Sequence, residues 1–444
     1  MYIYYHIDEF NRDSIVASSL AKLFKRRGHI LIYGNRITNR IIPFFKHTFD
    51  IIILPRPHFF YDNWGENWLK WDCKFVTLPT ENVGVYVLNK KVMSKTILER
   101  EYFEGKERYI NRIDCLTVWG ELQKKLLEQT VSKNVSSKVK VIGHPRHDKN
   151  CLINKKKNNK KIKIAILTRS VAFNNYNSIV PLERYKAYFE KHSIYEYYKD
   201  NRDNLKSKRV EANPAEVLAI LSIDNKIIID IIKELSTLKD LEIFLRPHPK
   251  ENLNVWDDIF SKMNLKNVTI SDNSEPLTHF LSGFDYAIGP PSTSFYDAMM
   301  LGVKPISISN LDSRRHLFVK EYFEDNNLLM SYVFKPKSIP EMLNIIFEKT
   351  KIDENYKDTL KKEANFPDCS ESLTKFVELC LKIITKRKSL KIIQIFNLYL
   401  FKIALQIFNF IYRIKLKIDG KKMSSSNFLM TTRIIRKINL LGRQ

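Results

Sequence analysis

Glycine is scarce in this chain: 12 of 444 residues, none arranged as the GxGxxG turn that lets a backbone close on a dinucleotide. Cysteine is scarcer. Cys73, Cys115, Cys151, Cys369 and Cys380 are scattered, odd in number and without CxxC spacing. Neither a disulfide framework nor a zinc site is indicated, and reduced cytosolic thiols are the expectation. The opening MYIYYHIDEFNRDS reaches Asp8 and Glu9 too early for the apolar core of a signal peptide, so export is not expected. Internal repeats and long low-complexity tracts are missing as well.

Acidic residues almost vanish at one end. From Lys386 to Gln444 there are 14 Lys and Arg but a single acid, Asp419, which places +13 of the chain's +25 formal charge there. A long unbroken apolar run is also lacking. The nearest candidate, Ile392–Ile414, carries Lys402 near its middle and Gln394, Asn397, Gln406 and Asn409 elsewhere. A lysine at mid-bilayer costs about 2.5–3.5 kcal/mol, which disfavours a spanning helix. An amphipathic helix on the anionic inner face of the cytoplasmic membrane fits the flanking cations better, and a helix packed on the body is the competing reading.

What is present describes a folded α/β protein. Hydrophobic residues make up 44% of the chain and aromatic residues 12%, ample for a large core over two or three domains. Met1–Ile7 reads as a strand, Ser14–Arg27 as a helix ended by Gly28, and His29–Tyr33 as the next strand, a βαβ opening of the doubly wound kind. Further strands follow at Phe49–Leu54, Lys74–Leu78, Cys115–Val118 and Val139–Ile142. The run NKKKNNKK, Asn154–Lys161, has no apolar residue and marks an interdomain linker. The βα pattern restarts at Ile162–Leu167, with a loop through Asn174. Ser178–Asn213 suggests a helical lid, and Ala215–Leu238, Ser338–Thr350 and Asn355–Lys386 read as helices. The expected domains are 1–153, 162–385 and a basic tail, 386–444.

The chemistry-bearing stretch is Leu241–Asn310. Leu241–Leu245 is a short apolar run that delivers Arg246-Pro247-His248-Pro249 at its end, and Tyr286–Ile288 delivers Gly289-Pro290-Pro291-Ser292-Thr293-Ser294. Both turns fall at the carboxyl ends of strands, the edge where open α/β sheets bind ligands. Arg246 and His248 bring positive charge. Ser292, Thr293 and Ser294 bring hydroxyls at the start of a helix through Phe295–Leu301. A phosphate site is the reading, against the blander one of a proline-rich turn and a simple helix cap.

In order along the chain stand an acid-and-arginine first loop (Glu9, Arg12), LPTEN at Leu78–Asn82, WGELQKKLL at Trp119–Leu127 and VIGHPRHD at Val141–Asp148. LRPHPKE at Leu245–Glu251 and PPSTSFYDAMMLGVKPISI at Pro290–Ile308 complete the set. With these motifs the sequence resembles bacterial capsule and lipopolysaccharide biosynthesis proteins of the GT-B glycosyltransferase fold. More loosely it is similar to sialyl-, polysialyl- and Kdo transferases, which use CMP-sugars. The resemblance implies two Rossmann-like doubly wound domains facing a cleft, with a basic amphipathic helical tail. It implies transfer of a sugar from a nucleotide-sugar donor, CMP-Kdo favoured, to a glycan or lipid-linked glycan acceptor. The alternative is a CDP-glycerol-type polyol-phosphate transferase.

The implied donor contacts are Arg246, His248, Pro249, Ser292, Thr293, Ser294, Asp297 and Asn174. Glu81 is the first candidate for the carboxylate that takes the acceptor proton, followed by Glu9 and Asp8. Arg12, His144 and Arg146 are assigned to a cleft or hinge, with a buried structural histidine the competing reading for His144. No DxD stands beside a donor strand, and the family commonly works without a metal, so no cofactor or metal is expected. A nucleic-acid-binding role ranks last, because the positive charge gathers beyond Lys386 and not across a folded face.

Overall fold

The computed structural model of the chain describes residues 1–7, 10–34, 42–45, 47–55, 67–80, 107–130, 132–152, 161–169, 214–249, 251–265, 267–314, 328–384, 396–401, 403, 404, 406, 407 and 410. Asp8, Glu9, Glu81 and Asn174 lie outside the described residues, as do the expected lid, nearly all of the expected linker, and the chain beyond 410. The chain divides into two units, 1–153 with 357–444, and 154–356.

The first unit is built on parallel strands: β1 (Tyr2–His6), β2 (Ile30–Gly34), β3 (Ile51–Leu54), β4 (Lys74–Thr77), β5 (Leu116–Val118) and β6 (Val139–Val141). Four of them form a sheet in the order β2-β1-β3-β4, and β5 and β6 pair beside it. A parallel bridge, Val76 to Cys115, links the two sets, with Thr77 N donating to Cys115 O at 3.0 Å. Parallel strands are covered on both faces and therefore read as continuous apolar runs. The IIIL of β3, buried at every position, is the plainest case. The Phe10–Arg26 helix covers the sheet with Val16, Ala17, Leu20 and Phe24, all buried at helical spacing.

The first unit also takes back the end of the chain. The sequence expects the second domain to run to 385, with one long helix from Asn355 to Lys386. In the structure that helix is two, Tyr356–Ala364 and Ser372–Ile383, because Asn365 at φ 54° and the Phe366-Pro367 step interrupt it. Leu373, Phe376, Val377 and Cys380 are buried in the first unit's core, so residues 357–384 belong there. Residues 396–401 are helical and also reach this core. Leu398 and Phe401 are buried, and the Phe401 ring meets Phe45 edge-on at 5.2 Å and Phe49 at 6.0 Å. The expected free tail is thus anchored at its start, which favours the packed-helix reading for that part. Among the described residues no helix is long and apolar enough to cross a membrane.

The second unit carries β7 (Ile162–Leu167), β8 (Leu241–Arg246), β9 (Val268–Ile270), β10 (Tyr286–Gly289) and β11 (Lys304–Ser307). All are parallel, in the order β11-β10-β7-β8-β9, and Ile306 bridges further to Phe334. The chain leaves β7 toward β8 and β9, then returns to the other flank for β10 and β11. The Pro214–Ser236 helix buries Ile228, Ile231, Ile232 and Leu235 on one face of the sheet with Ile164, Ile166 and Ile288. The other face holds Ala165, Leu167 and Ala287 with Phe280, Phe284 and Ala298. Together the sheets give an α/β protein with two parallel-sheet units.

Gly143, at φ +93°, supports the return of the chain end. A Cβ there would fall 2.6 Å from Cys369 Cβ and 2.7 Å from its Cα. Gly143→Ala should therefore destabilise the protein by about 1–3 kcal/mol through strain and overpacking. Urea denaturation checks this, and an unchanged midpoint would contradict the contact.

Candidate functional site

Strand register decides what meets at the edge of the second sheet. Leu167 pairs with Arg246, Ile166 with Ile288, and Gly289 with Ser307. Ser271, just past β9, donates its N–H to Leu245 O at 2.8 Å. The carboxyl ends of five strands therefore finish in one row, from Ser271 through Arg246, Leu167 and Gly289 to Ser307. The order of the strands reverses between β7 and β10, and that switch point is where such sheets open a crevice for ligands. At Gly289 the two strand ends come closer than a side chain permits, since a Cβ would stand 2.7 Å from Leu167 O.

A buried carboxylate sets the turn after β8. Glu251 has no exposed surface. Its Oε1 accepts from Thr168 Oγ1 at 2.7 Å and from His248 N at 3.2 Å, and its Oε2 accepts from Trp256 Nε1 at 2.8 Å. Thr168 Oγ1 accepts in turn from His248 N at 3.2 Å, and Glu251 N donates to His248 O at 2.8 Å. The RPHP turn is thus tied from beneath to the end of β7 and to the Leu253–Lys262 helix, with His248 and Pro249 half-buried above it. Nothing in the sequence alone gives Glu251 a role.

Arg246 is more engaged than a ligand-facing arginine was expected to be. Its Nη2 donates to Glu275 O at 2.6 Å, and its guanidinium lies 4.7 Å over the Phe280 ring. Burial lowers its pKa to about 10, partly offset by Glu275 and Asp272. Its buried Nη1 meets no hydrogen-bond partner among the described residues. Arg169, which the sequence reading passed over, stands at the switch point itself. It donates from Nη1 to Pro291 O at 3.4 Å and pairs at 3.9 Å with the buried Asp224 of the Pro214–Ser236 helix.

The serine turn differs from the expected cap. The helix is Ser294–Met300, seven residues long, and Thr293 occupies its cap position in the αR region without a side-chain cap bond. Instead Ser292 Oγ accepts from Ser294 N at 3.3 Å and bonds to the Ser294 hydroxyl. Ser292, Thr293 and Ser294 are half-buried, so their hydroxyls stand at the edge, whereas Asp297 is fully buried. The structure therefore brings Arg246, His248, Pro249 and Ser292–Ser294 to one sheet edge, joined by Thr168, Arg169 and Glu251.

The remaining expected residues lie in the first unit. Arg12 is held by its neighbour Asp13, Nε to Oδ1 at 2.8 Å. His144 is fully buried and stacked on Trp119, with ring centroids 3.8 Å apart, and its Nδ1 accepts from Arg146 N at 3.3 Å. Burial first, then Arg146 and His147, push its pKa well below the usual histidine range. Arg146 is likewise buried, in the Pro145–His147 turn. Asp148, from the same motif, accepts Leu373 N at 2.8 Å and so holds the start of the Ser372–Ile383 helix. This geometry suits the structural reading of His144.

No protein-family model matches the sequence, and no curated protein matches it. Solved structures give a distant likeness. The wall teichoic acid polymerase TagF aligns at 12% identity with a TM-score of 0.48, covering 86% of this chain and 89% of its own. UDP-GlcNAc 2-epimerase of Methanocaldococcus jannaschii, in complex with UDP-GlcNAc and UDP, aligns at 12% and 0.44, covering 86% and 100%. The S. aureus MnaA–UDP structure aligns at 10% and 0.45, covering 87% and 99%. Likeness at this distance decides neither fold nor function.

Two measurements test these assignments. Glu251→Gln leaves one acceptor oxygen for three donors and turns an amide N–H₂ toward at least one of them, and should cost about 1.5–3 kcal/mol while shifting Trp256 emission. Wild-type stability and emission in that variant would mean the network is dispensable. His144 is neutral in the fold, so the unfolded chain binds the extra proton below its ordinary pKa. Its contribution is complete above about pH 6.5 and is lost as pH falls through that value. The stability gap between wild type and His144→Gln should therefore shrink on acidification, by up to about 1.4 kcal/mol per pH unit. A gap independent of pH between 7 and 5 would contradict a neutral, buried His144.

Proposed function

We propose that the protein is a group-transfer enzyme that binds a nucleotide-activated donor by its phosphate at the carboxyl edge of the second unit's sheet. The observation that carries the reading is the common row of strand ends at the β7–β10 switch point. Arg169, Arg246, the His248 turn and Ser292–Ser294 all stand at or just past strand ends in that row, which supports reading the edge as an anion site. His248 and Ser292–Ser294, half-buried at that edge, are proposed to meet the phosphate, with the buried Arg246 supplying positive charge from behind them.

The favoured reaction is glycosyl transfer from a CMP-sugar. The acceptor hydroxyl oxygen bonds to the anomeric carbon, the bond from that carbon to the phosphate oxygen breaks, and the electron pair leaves with CMP. Fixed cations and hydroxyls stabilise that charge as it develops. Glu81, a few residues past β4 in the first unit's sequence, is proposed to take the acceptor proton, with Glu9 and Asp8 next. The GT-B arrangement, a surface-carbohydrate acceptor and action at the inner membrane face are parts of the same proposal. Transfer of a polyol phosphate from CDP-glycerol also releases CMP, and the same cradle suits it.

Titration calorimetry with CMP, CDP, UDP and GDP on the full chain tests the reading. CMP should bind most tightly. His248→Ala and the Ser292→Ala/Ser294→Ala pair should each weaken it about 10- to 100-fold, the loss of charge-assisted or hydroxyl bonds. Melting temperatures should hold, because these side chains are half-buried. Glu81→Gln should bind CMP within about two-fold of wild type, as expected of a residue that acts on the acceptor. Unaltered affinity in both donor-site variants would refute the site, and preference for UDP or GDP would refute the CMP donor.

A further inference from the structure

Residues 396–410 carry a feature that nucleotide binding does not require. Every described position from 396 to 410 is helical. At 3.6 residues per turn, Leu398 and Phe401 point one way, into the first unit's core. Phe396, Tyr399, Leu400, Ile403, Ile407 and Phe410 fall on the opposite side, within an arc of about 100°. All six are exposed, from 40% at Leu400 to 65% at Phe410. An outward apolar face of six side chains, on a segment whose other face is anchored in the core, calls for a partner.

Charge selects the partner. Lys386, Arg387, Lys388 and Lys391 precede the stripe, and Arg413, Lys415 and Lys417 follow it. Asp419 is the sole acid between Lys386 and Gln444. Two copies meeting through this face would bring like charges together, whereas an anionic lipid surface satisfies both parts at once. We propose that the outward face of residues 396–410 is an interfacial membrane site, with its exposed aromatic and aliphatic side chains in the headgroup–acyl boundary of an anionic leaflet. The helix lies along the surface and holds the first unit there. This inference rests on the membrane-face part of the proposed function and is tested apart from its nucleotide part, since flotation requires no nucleotide.

Flotation of the full chain with two kinds of vesicle tests it: phosphatidylcholine alone, and phosphatidylcholine with one-third phosphatidylglycerol. Wild type should float with the anionic vesicles, less in high salt, and poorly with neutral ones. Ile403→Asp/Ile407→Asp alters only exposed positions, so its circular dichroism and melting should match wild type while vesicle binding drops about ten-fold or more. Three results would overturn the proposal. Wild type could fail to float, or the variant could float as wild type does. A vesicle-free dimer that the variant converts to monomer would instead assign the face to a second copy.

Discussion

The edge of the second sheet depends on one buried carboxylate. Glu251 receives donors from the end of β7, from the turn after β8 and from the Leu253–Lys262 helix, all without exposure to water. A buried carboxylate left unpartnered is costly, and here its three partners come from three elements, so satisfying it fixes their relative position. The prolines at 247 and 249 stiffen the same turn from outside. Arg246 locks the next loop by bonding Glu275 O and lying over Phe280, and Arg169 ties β7 to β10 through Pro291 O. A phosphate cradle needs that rigidity, because its donors act best when already aimed.

The first unit is held by a different device. Asp148 holds the start of the Ser372–Ile383 helix and Gly143 meets Cys369 in the turn before it, each contact reaching more than two hundred residues along the chain. His144 lies between, neutral and stacked on Trp119. Two residues of the VIGHPRHD motif, Gly143 and Asp148, thus hold the returning end of the chain. The five cysteines are all buried, and burial pushes the Cys115 thiol up to about 11 and those of Cys151 and Cys369 up to about 12.

Strands buried on both faces were legible in the sequence, because a run such as the IIIL of β3 leaves no solvent-facing alternation. So were the turns after β8 and β10. Short, half-buried β9 was not, since VTI sits among polar residues and gains strand identity only by pairing with β8. The helix expected over Asn355–Lys386 kept its apolar period across a proline that in fact divides it. Glu251 and Arg169 escaped because their partners are distant in sequence: Thr168 lies 83 residues from Glu251, and Asp224 lies on another helix. A lone acid after a turn looks like a surface residue until its donors are placed. Which apolar residues of 396–401 face the core was settled only by packing.

The central claim is that a nucleotide's phosphate rests on the carboxyl edge of the second unit's sheet. Hydrogen exchange of the full chain, with and without saturating CMP, tests it directly. Slowed exchange at the amides of 246–251 and 292–296, with the edge strand β9 and the 372–383 helix unchanged, is the predicted result. Protection confined to the first unit's loops, or no change at the β8 and β10 turns despite measured binding, would contradict it.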